Sequence, residues 1–451
     1  MLIDLCQKEN NELVNNFLNK TFFKAWKWDK QKRFPKKYGN LLKFELQVTA
    51  ACDLKCKYCY YEKYSNKSPV GDIGLYPSNI SKPKNVLSNL DMLLRWMEKN
   101  ELYPMFDLFS GELFATELGF QVLERLVDFL IRNNVKNRFI SIPTNMSFTE
   151  NDDKTDRVQS LINKCRNSGN DLFLSASIDG LYCEKNRPFK SGSYERNYDK
   201  LFKFCARNNY LFHPMIYYDE IDKWKDNFLW FQDMLKKYKI PWTGVYLLEV
   251  RNDGWTIESV KKANEFWSFI TEWTYNKVYP EFNNNYDTIK HILKKSILNV
   301  FSLFSLVGRG MGCSIQSSIQ LRLGDLVCTP CHRTSYPQFN TWKFDVKDNE
   351  ISGISALNSD LMFAIYTSSY RNFPYCQDCF IKNICPGGCL GSQYETTGDL
   401  FTPIPSVCLL EHGKFYSIIE TFDKLGCTDT ILKLVTKDVK TTIINYFKYI
   451  R

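Results

Sequence analysis

The sequence predicts an α/β protein that is built on a curved parallel sheet and followed by a cysteine-rich region. Between residue 41 and about residue 250, short apolar stretches that alternate like strands take turns with longer helical patterns. Such an alternation is typical of βα units, whose right-handed crossovers place the strands parallel in one sheet. The cysteines cluster in two places, with three of them in residues 52–59 and eight in residues 313–408.

Six strands and six helices are predicted in the first part of the chain. The strand candidates are Lys43–Thr49, Met105–Ser110, Arg138–Pro143, Asp171–Ile178, Leu211–Tyr218 and Gly244–Val250. The helix candidates are Val86–Asn100, Glu117–Asn133, Thr155–Asn167, Tyr194–Asn208, Lys223–Tyr238 and Ile257–Val278. Asparagine or glycine near several helix ends fits C-terminal stops. Because parallel α/β folds build their sites at the carboxyl ends of the strands, we expect functional residues there.

Changes in character along the chain predict five segments. An accessory segment with several aromatic residues covers 1–40, and the βα part covers 41–255. A helical bridge is expected over 256–312, the cysteine-rich domain over 313–410 and a helical tail over 411–451.

Composition and charge narrow the class of protein. The chain has 451 residues, of which 44% are hydrophobic, so it can bury a sizeable core. The net charge of +9 comes from lysines scattered among acidic residues, which does not indicate a nucleic-acid groove. The start lacks a signal-peptide pattern, and the longest apolar run, Ile297–Val307, is too short to cross a bilayer. We expect a protein that lies in the cytoplasm and does not bind membranes.

The short stretch Cys-Asp-Leu-Lys-Cys-Lys-Tyr-Cys at 52–59 follows the first predicted strand. Three thiolates on one tight loop can hold three irons of a cubane cluster, since iron–sulfur clusters take thiolate ligands. The fourth iron would then be open to a small molecule. The alternatives are a zinc knuckle or three unlinked core cysteines.

The second group of cysteines begins near residue 313. Its members are Cys313, Cys328, Cys331, Cys376, Cys379, Cys385, Cys389 and Cys408. Eight thiolates match two four-iron clusters, and they equally match two zinc sites. Their number alone does not decide between these metals. Cys165, Cys183, Cys205 and Cys427 stand alone and are expected to be core thiols.

The Cys-x3-Cys-x2-Cys spacing, with Tyr58 just before the last cysteine, resembles the radical S-adenosylmethionine superfamily. The resemblance implies a partial (β/α)6 TIM-like barrel with one [4Fe-4S] cluster on Cys52, Cys56 and Cys59. It also implies that S-adenosylmethionine binds the open iron and is cleaved to a 5′-deoxyadenosyl radical, which abstracts a hydrogen atom from a substrate. The cofactors supply this chemistry, and the protein positions and shields them.

Residues 109–113, Phe-Ser-Gly-Glu-Leu, resemble the Gly-Gly-Glu-Pro motif of this family, in which the glutamate holds the amino group of S-adenosylmethionine. Ser110 and Leu113 depart from the motif, whereas Gly111 and Glu112 match it. Thr144 and Asn145 end the third predicted strand, where short polar side chains could bond the ribose or the carboxylate. The alternative for this pair is an ordinary turn.

Further contacts to the cofactor are expected after the fourth and sixth strands. Residues 175–180 and the arginine that follows resemble a motif of radical enzymes that modify peptides, which makes Ser177 and Arg187 candidates for the cofactor. An arginine offers a planar fork for a carboxylate, and Asp179 could instead cap the next turn. Leu248 could press on the adenine. Glu249 and Arg251 could face the substrate or form a local ion pair.

The cysteine-rich region resembles the SPASM domain that follows many such cores, most closely in residues 376–389. The resemblance implies two auxiliary [4Fe-4S] clusters, and therefore three clusters in all. Cys376, Cys379, Cys385 and Cys408 would hold one of them. Cys313, Cys389 and one or both of Cys328 and Cys331 would hold the other. The spacing after Gly324 departs from the usual pattern, so the role of Cys328 stays open.

Enzymes of this architecture modify peptides or proteins, so the resemblance predicts a maturase that cross-links a ribosomally made precursor peptide. Expected partners are that peptide and a reductant protein such as flavodoxin or ferredoxin. Sulfatase maturation, which oxidises cysteine or serine to formylglycine, is an alternative, but an aspartate follows the corresponding cysteine in that class and His332 stands here. His332 is itself a candidate base. Peptide epimerisation is a further possibility, as is a zinc-stapled binding protein without catalysis.

Overall fold

The computed structural model describes residues 43–60, 85–109, 111–298, 315, 318–370, 373–385 and 387–450. The predicted accessory segment, Ser110 and Cys313 lie outside these residues. In the first half of the chain the elements are β1 (Lys43–Gln47), α1 (Val86–Lys99), β2 (Met105–Phe109), α2 (Glu117–Arg132), β3 (Phe139–Thr144), α3 (Asp152–Asn167), β4 (Asp171–Ala176), α4 (Tyr198–Asn208), β5 (Leu211–Phe212), β6 (Met215–Ile216), α5 (Trp224–Lys237) and β7 (Leu248–Glu249).

The second half begins with two helices and continues with four strands. Its elements are α6 (Ile257–Phe282), α7 (Asn285–Lys295), β8 (Ser318–Arg322), β9 (Val327–Thr329), β10 (Trp342–Lys347), β11 (Glu350–Ala356), α8 (Ser359–Thr367), α9 (Pro374–Gln377), α10 (Leu390–Thr397), α11 (Pro405–Lys424), α12 (Thr428–Leu434) and α13 (Lys437–Ile450). No helix in the described ranges is long and apolar enough to cross a bilayer.

The predicted α/β class is confirmed, and the first four strand–helix units lie close to their predicted bounds. Two later predictions were wrong in detail. The strand expected over Leu211–Tyr218 is divided into β5 and β6, and the strand expected over Gly244–Val250 is only Leu248–Glu249. Pro214 lies between β5 and β6 and has no backbone N–H for a continuous ladder.

The chain forms two compact units. The described residues of 1–176, 188–204 and 314–367 make up unit 1, and those of 177–187, 205–313 and 368–451 make up unit 2. Residues 318–356, which the sequence analysis assigned to the cysteine-rich domain, thus belong with the barrel strands in unit 1. The predicted boundaries of the five segments stay predictions.

Unit 1 is built on a sheet with the strand order β11-β10-β9-β8-β1-β2-β3-β4. Strand β8 pairs in parallel with β1, and β1 to β4 pair in parallel with one another. Strands β8 to β11 pair antiparallel. One face of the central strands is apolar and fully buried, and its side chains include Phe44, Leu46, Phe106, Leu108, Ile140 and Ile142. Because side chains alternate between faces, the other face carries the intervening residues.

That other face is polar although it is buried. Glu45 and Gln47 on β1, Asp107 on β2, and Gln320 and Arg322 on β8 are each at most 5% exposed. Buried polar groups require partners. Gln47 Oε1 accepts a hydrogen bond from the Ser335 hydroxyl at 2.9 Å, and Asp107 pairs with Lys43. A buried polar sheet face is suited to binding a polar ligand rather than to forming an ordinary core.

Unit 2 is largely helical. Strands β6 and β7 pair in parallel, with Met215 opposite Leu248. The long helix α6 begins with a capping box between Thr256 and Ser259. Helices α6 and α11 pack along each other, and the Lys414 ammonium lies 4.1 Å from the centre of the Trp267 ring between them.

Candidate functional site

The Cys52–Cys59 loop leaves the carboxyl end of β1, as predicted. Its backbone is tied to the segment after residue 187: Lys55 N donates to Pro188 O at 2.8 Å, and Lys190 N donates to Asp53 O at 2.8 Å. The Leu54 backbone N–H donates to the Cys52 sulfur at 3.4 Å. Cys52, Cys56, Tyr58 and Cys59 are all half-buried. The loop is therefore fixed by backbone bonds while its thiols stay partly accessible.

Gly111 allows the ends of β1 and β2 to meet. Its N–H donates to Thr49 O at 2.9 Å, and Glu112 N donates to Ala51 O at 2.8 Å. A Cβ at position 111 would lie 2.3 Å from Ala51 O. Because that neighbour is backbone, no rotamer change can relieve the contact. The glycine of the motif is thus explained by the close approach of the cysteine loop.

Glu112 is 1% exposed and accepts three hydrogen bonds. The donors are the Thr144 hydroxyl at 2.9 Å, Asn145 N at 2.6 Å and Phe114 N at 3.2 Å. Burial raises the pKa of this carboxyl to about 7, against the lowering effect of its donors. Within the part of the chain that the structure describes, no cation pairs with Glu112. The site therefore fits a ligand that brings a positive charge.

Asn145 connects the strand ends to the cysteine loop. Its backbone N–H bonds to Glu112, and its Nδ2 donates to Asp53 Oδ1 at 2.7 Å and lies 3.9 Å from the Cys52 sulfur. The Thr144 hydroxyl is likewise engaged with Glu112. Thr144 and Asn145 were predicted to contact the cofactor directly, whereas in the structure they bond to the groups that line its expected place. Contact with ribose or carboxylate stays a prediction.

His332 lies over the polar sheet face of unit 1. Its ring stacks on Phe109 with a centroid distance of 4.1 Å and an interplanar angle of 5°. Nδ1 lies 3.4 Å from Glu45 Oε2, and the side chain is 26% exposed. The ring is thus held at the ends of β1 and β2, which keeps the hypothesis of a base at this position open.

Unit 2 contains the remaining residues predicted to contact the cofactor. Arg187 is buried and its Nε donates to Asp179 Oδ1 at 2.8 Å. Asp179 also accepts from Met215 N, whereas the N–H groups of the turn at 179–180 donate to Glu184. Glu184 therefore accepts the N–H groups of residues 179 and 180, and a capping role for Asp179 stays a prediction. Ser177 and Leu248 are half-buried.

Glu249 and Arg251 each form an ion pair with a residue of α11, far away in sequence, and not the local pair that was considered. A contact of either residue with the substrate stays a prediction. Arg251 Nη2 lies 3.0 Å from Glu411 Oε1, and its Nη1 donates to Gly387 O at 3.1 Å. Glu249 Oε1 lies 2.7 Å from Lys414 Nζ. Both acidic partners and Lys414 are buried, so the charges compensate each other away from water.

A cavity in unit 2 is lined by five cysteines, together with Arg251, Glu411 and His412. The cysteines are Cys376, Cys379, Cys385, Cys389 and Cys408. Counted out to its open mouth, and so including solvent-filled space, the cavity encloses about 680 Å³. Burial raises the pKa of Cys385 and raises that of Cys408 to about 11. These thiols therefore need a bound cation to become thiolates at neutral pH.

His412 was missed by the sequence analysis. Its Nε2 lies 3.4 Å from the Cys379 sulfur and its Nδ1 lies 3.0 Å from the Tyr416 hydroxyl oxygen. The signal was present, because His412 follows Cys408 by four residues and residues at this spacing share one helix face. Burial lowers the pKa of His412, which favours the neutral imidazole.

Cys328 and Cys331 lie in unit 1. Cys328 is 1% exposed and lines a small, mostly apolar pocket together with Ile319, Trp342 and Met362. Cys331 is half-buried and is contacted by the Thr334 hydroxyl. Among the described residues, no three or more His, Cys, Asp or Glu side chains lie close enough together to hold a single metal ion. Cys389, which the resemblance grouped with Cys313 and with Cys328 or Cys331, lines the cavity of unit 2.

No protein-family model and no curated protein matches the chain. The solved structures with a similar fold include two forms of one protein, anSMEcpe. The histidine-tagged form of anSMEcpe with bound AdoMet is 13% identical, with a TM-score of 0.57 over 90% of this chain and 98% of that chain. Native anSMEcpe with bound AdoMet and the Cp18Cys peptide is 16% identical, with a TM-score of 0.51 over 85% of this chain and 99% of that chain. At these identities the likeness establishes a shared fold, which agrees with the barrel expected from the cysteine loop.

Proposed function

We propose that the chain is a radical S-adenosylmethionine enzyme with SPASM-type auxiliary clusters that modifies a ribosomally made precursor peptide. One arrangement carries the proposal. The Cys52–Cys59 loop and the buried carboxylate of Glu112 meet at the carboxyl ends of β1 and β2, joined by Asn145. The shared fold adds support, because the two similar structures contain bound AdoMet, one of them together with a peptide.

The residues of unit 1 fit the first cluster and its ligand. Cys52, Cys56 and Cys59 would hold three irons, which leaves one iron open. Burial, and next the charge of Glu112, raise the pKa of Cys52, so binding of iron would have to release its proton. The α-amino group of S-adenosylmethionine would supply the positive charge that Glu112 lacks in the described structure. Gly111 and Asn145 would hold the Glu112 carboxylate in place beside the Cys52–Cys59 loop.

Bound together, the cluster and S-adenosylmethionine supply a 5′-deoxyadenosyl radical that removes a hydrogen atom from the substrate. The protein contributes orientation and exclusion of water. An auxiliary cluster in the thiol-lined cavity of unit 2 would be held by Cys376, Cys379, Cys385 and Cys408, which all line it. A second auxiliary cluster stays a prediction. A cluster held in that cavity would supply an acceptor for the electron that bond formation releases after hydrogen abstraction. We infer an intramolecular thioether or carbon–carbon cross-link as the product, with electrons supplied by a flavodoxin or ferredoxin in the cytoplasm.

The first test is the content of iron and sulfide after anaerobic purification, followed by cleavage of S-adenosylmethionine. Three clusters give about twelve irons per chain. The Cys52→Ala, Cys56→Ala, Cys59→Ala triple variant is expected to lose about four irons and all formation of 5′-deoxyadenosine. A triple variant at the lone cysteines Cys165, Cys205 and Cys427 is the matched control and keeps both. Zinc without sulfide in the wild-type protein would contradict the proposal.

The second test concerns the product. Candidate peptides encoded beside this gene are co-expressed with the enzyme, and each cross-link is expected to lower the peptide mass by two daltons. Deuterium uptake without a mass loss would identify epimerisation instead, and an aldehyde would identify formylglycine. If His332 is the base, His332→Ala still forms 5′-deoxyadenosine but loses product. If turnover of the peptide is unchanged in His332→Ala, His332 is not the base.

A further inference from the structure

We propose that His412 donates a hydrogen bond from Nε2 to the sulfur of Cys379 and thereby raises the reduction potential of the cluster in the unit 2 cavity. This inference rests on the proposed function, because it requires an iron–sulfur cluster there. It assigns a role to a side chain that is not a cysteine and does not belong to the cluster motif.

The position of His412 is set by helix α11. Cys408 and His412 are four residues apart on this helix, and both line the cavity. The separation of 3.4 Å between Nε2 and the Cys379 sulfur is within hydrogen-bonding range for sulfur. Cys379 itself lies in a turn where its N–H donates to Cys376 O at 3.2 Å. Helix and turn thus bring the imidazole against one predicted cluster ligand.

The partner on the other ring nitrogen selects the tautomer. Nδ1 of His412 lies 3.0 Å from the hydroxyl of Tyr416, again four residues further along α11. A neutral imidazole carries one N–H, and a metal-bound thiolate offers only acceptor capacity. The consistent assignment places the hydrogen on Nε2, facing sulfur, while Nδ1 accepts from the tyrosine O–H.

Tyr416 is itself fixed in place. Its ring stacks on Tyr446 of α13 with a centroid distance of 4.6 Å and an interplanar angle of 6°, and the Tyr446 hydroxyl bonds to Glu420. Neither tyrosine can turn without losing this stack. The hydroxyl therefore holds the imidazole much as a hydrogen-bonded partner orients a metal-ligating histidine.

The consequence for a bound cluster follows from charge. Reduction adds negative charge to the cluster, part of which resides on its sulfurs. A donor aimed at one sulfur stabilises the reduced form more than the oxidised form, and hydrogen bonds to sulfur are among the factors that set cluster potentials. A raised potential would make this cluster a better acceptor for the electron that bond formation releases.

The experiment uses the full chain in the Cys52→Ala, Cys56→Ala, Cys59→Ala background, so that the loop cluster gives no signal. Anaerobic redox titrations are followed by electron paramagnetic resonance, and the Cys379→Ala variant identifies the signal of this cavity. We expect His412→Leu to shift that midpoint to a lower potential with unchanged iron and sulfide. Tyr416→Phe, which removes only the orienting hydroxyl, should shift it less in the same direction. His291→Leu, on α7 of the same unit, is the matched control and should shift nothing.

Spectroscopy with ¹⁵N-labelled histidine adds an independent measurement. A weak nitrogen coupling to the reduced cluster is expected in the parent protein and should vanish in His412→Leu. If the midpoint potential is unchanged in both His412→Leu and Tyr416→Phe, with the cluster intact, the proposed hydrogen bond is wrong. The proposed function is then unaffected. Loss of about four irons from His412→Leu and also from His412→Gln overturns it too, because His412 would then be a ligand. A parent protein without iron and sulfide contradicts the proposed function together with this inference.

Discussion

The two cysteine sites differ in what surrounds them. The loop of unit 1 lies at the ends of parallel strands, and its neighbours are carboxylates: Asp53 accepts from Asn145, and Glu112 is buried. The cavity of unit 2 is formed by turns and helices, and its neighbours include the Arg251 guanidinium and the His412 imidazole. One site presents acceptors and negative charge, and the other presents donors as well as the charge of Arg251.

Two similar groups of thiols can therefore have surroundings that suit different ligands. Carboxylates beside the loop favour a ligand that carries a cation, as the α-amino group of S-adenosylmethionine does. A guanidinium and an N–H beside the cavity favour a cluster that gains an electron. Arg251 is balanced by Glu411 at 3.0 Å, so its charge is offset in part.

The largest expected effect concerns the buried charges of unit 2. Lys414→Met removes the partner of Glu249, whose side chain is 1% exposed. Leaving a buried charge unpaired lowers the free energy of unfolding by about 3–5 kcal/mol, and this is measured by chemical denaturation. The exposed Lys440→Met on α13 is the control and should stay within about 0.5 kcal/mol. A loss below about 1 kcal/mol for Lys414→Met would mean that these ion pairs do not hold the cavity wall.

Glu112→Gln tests the negative side of the comparison. The amide keeps the size of the side chain but removes its charge, and one of its amide hydrogens would face the Asn145 N–H. We expect S-adenosylmethionine to bind about 2 kcal/mol more weakly, roughly thirtyfold in Kd, measured by anaerobic calorimetry. Glu98→Gln, which loses only a surface pair with Arg132, should leave Kd unchanged. If Glu112→Gln and the wild type bind S-adenosylmethionine with equal affinity, the Glu112 carboxylate does not contact this ligand.

The raised pKa of Glu112 predicts a dependence on pH. The folded carboxyl titrates near 7 and the free group near 4.5, so below pH 7 the protein without ligand holds mostly the neutral acid. An ammonium ligand needs the carboxylate, so its binding should weaken about tenfold per pH unit below 7 and level off above it. Binding curves between about pH 5.5 and 8.5 measure this, and Glu112→Gln should flatten them. A flat wild-type profile would contradict the role of burial.

Sequence patterns predicted much of unit 1. Three of its features are local in sequence: the apolar and polar alternation of β1, the asparagines at helix ends and the cysteine spacing. Local patterns of this kind can be recognised from the sequence alone. Glu112 was singled out because it follows a strand in a recognisable motif, and its contact with the ligand stays a prediction. The role of Asn145 was not foreseen, since its partners Asp53 and Glu112 lie far away in sequence and meet only through the sheet.

Unit 2 was predicted less well for the same physical reason. Its cavity is formed by turns and by one face of α11. The pairing of strands does not determine the conformation of those turns or which face of the helix lines the cavity. His412 could have been found from its spacing to Cys408, but a lone histidine on a helix usually indicates packing. Within unit 1, the pairing of β8 with β1 joins residues as far apart in sequence as Lys43 and Ser318, and strand pairing at such a distance leaves no local signal.

The smallest effect is expected for Asn145→Ala. The change removes the hydrogen bond from Nδ2 to Asp53 and the one that Oδ1 accepts from Ser147 N, but it keeps the backbone N–H on Glu112. We expect a loss of about 1 kcal/mol in unfolding free energy and a faster loss of iron from the loop to a chelator, with the Kd for S-adenosylmethionine nearly unchanged. Asn163→Ala on the exposed face of α3 is the control. If Asn145→Ala instead weakened binding as strongly as Glu112→Gln, Asn145 would contact the ligand directly, as its place at a strand end first indicated. Loop anchoring and ligand contact are therefore separated by one variant and two measurements.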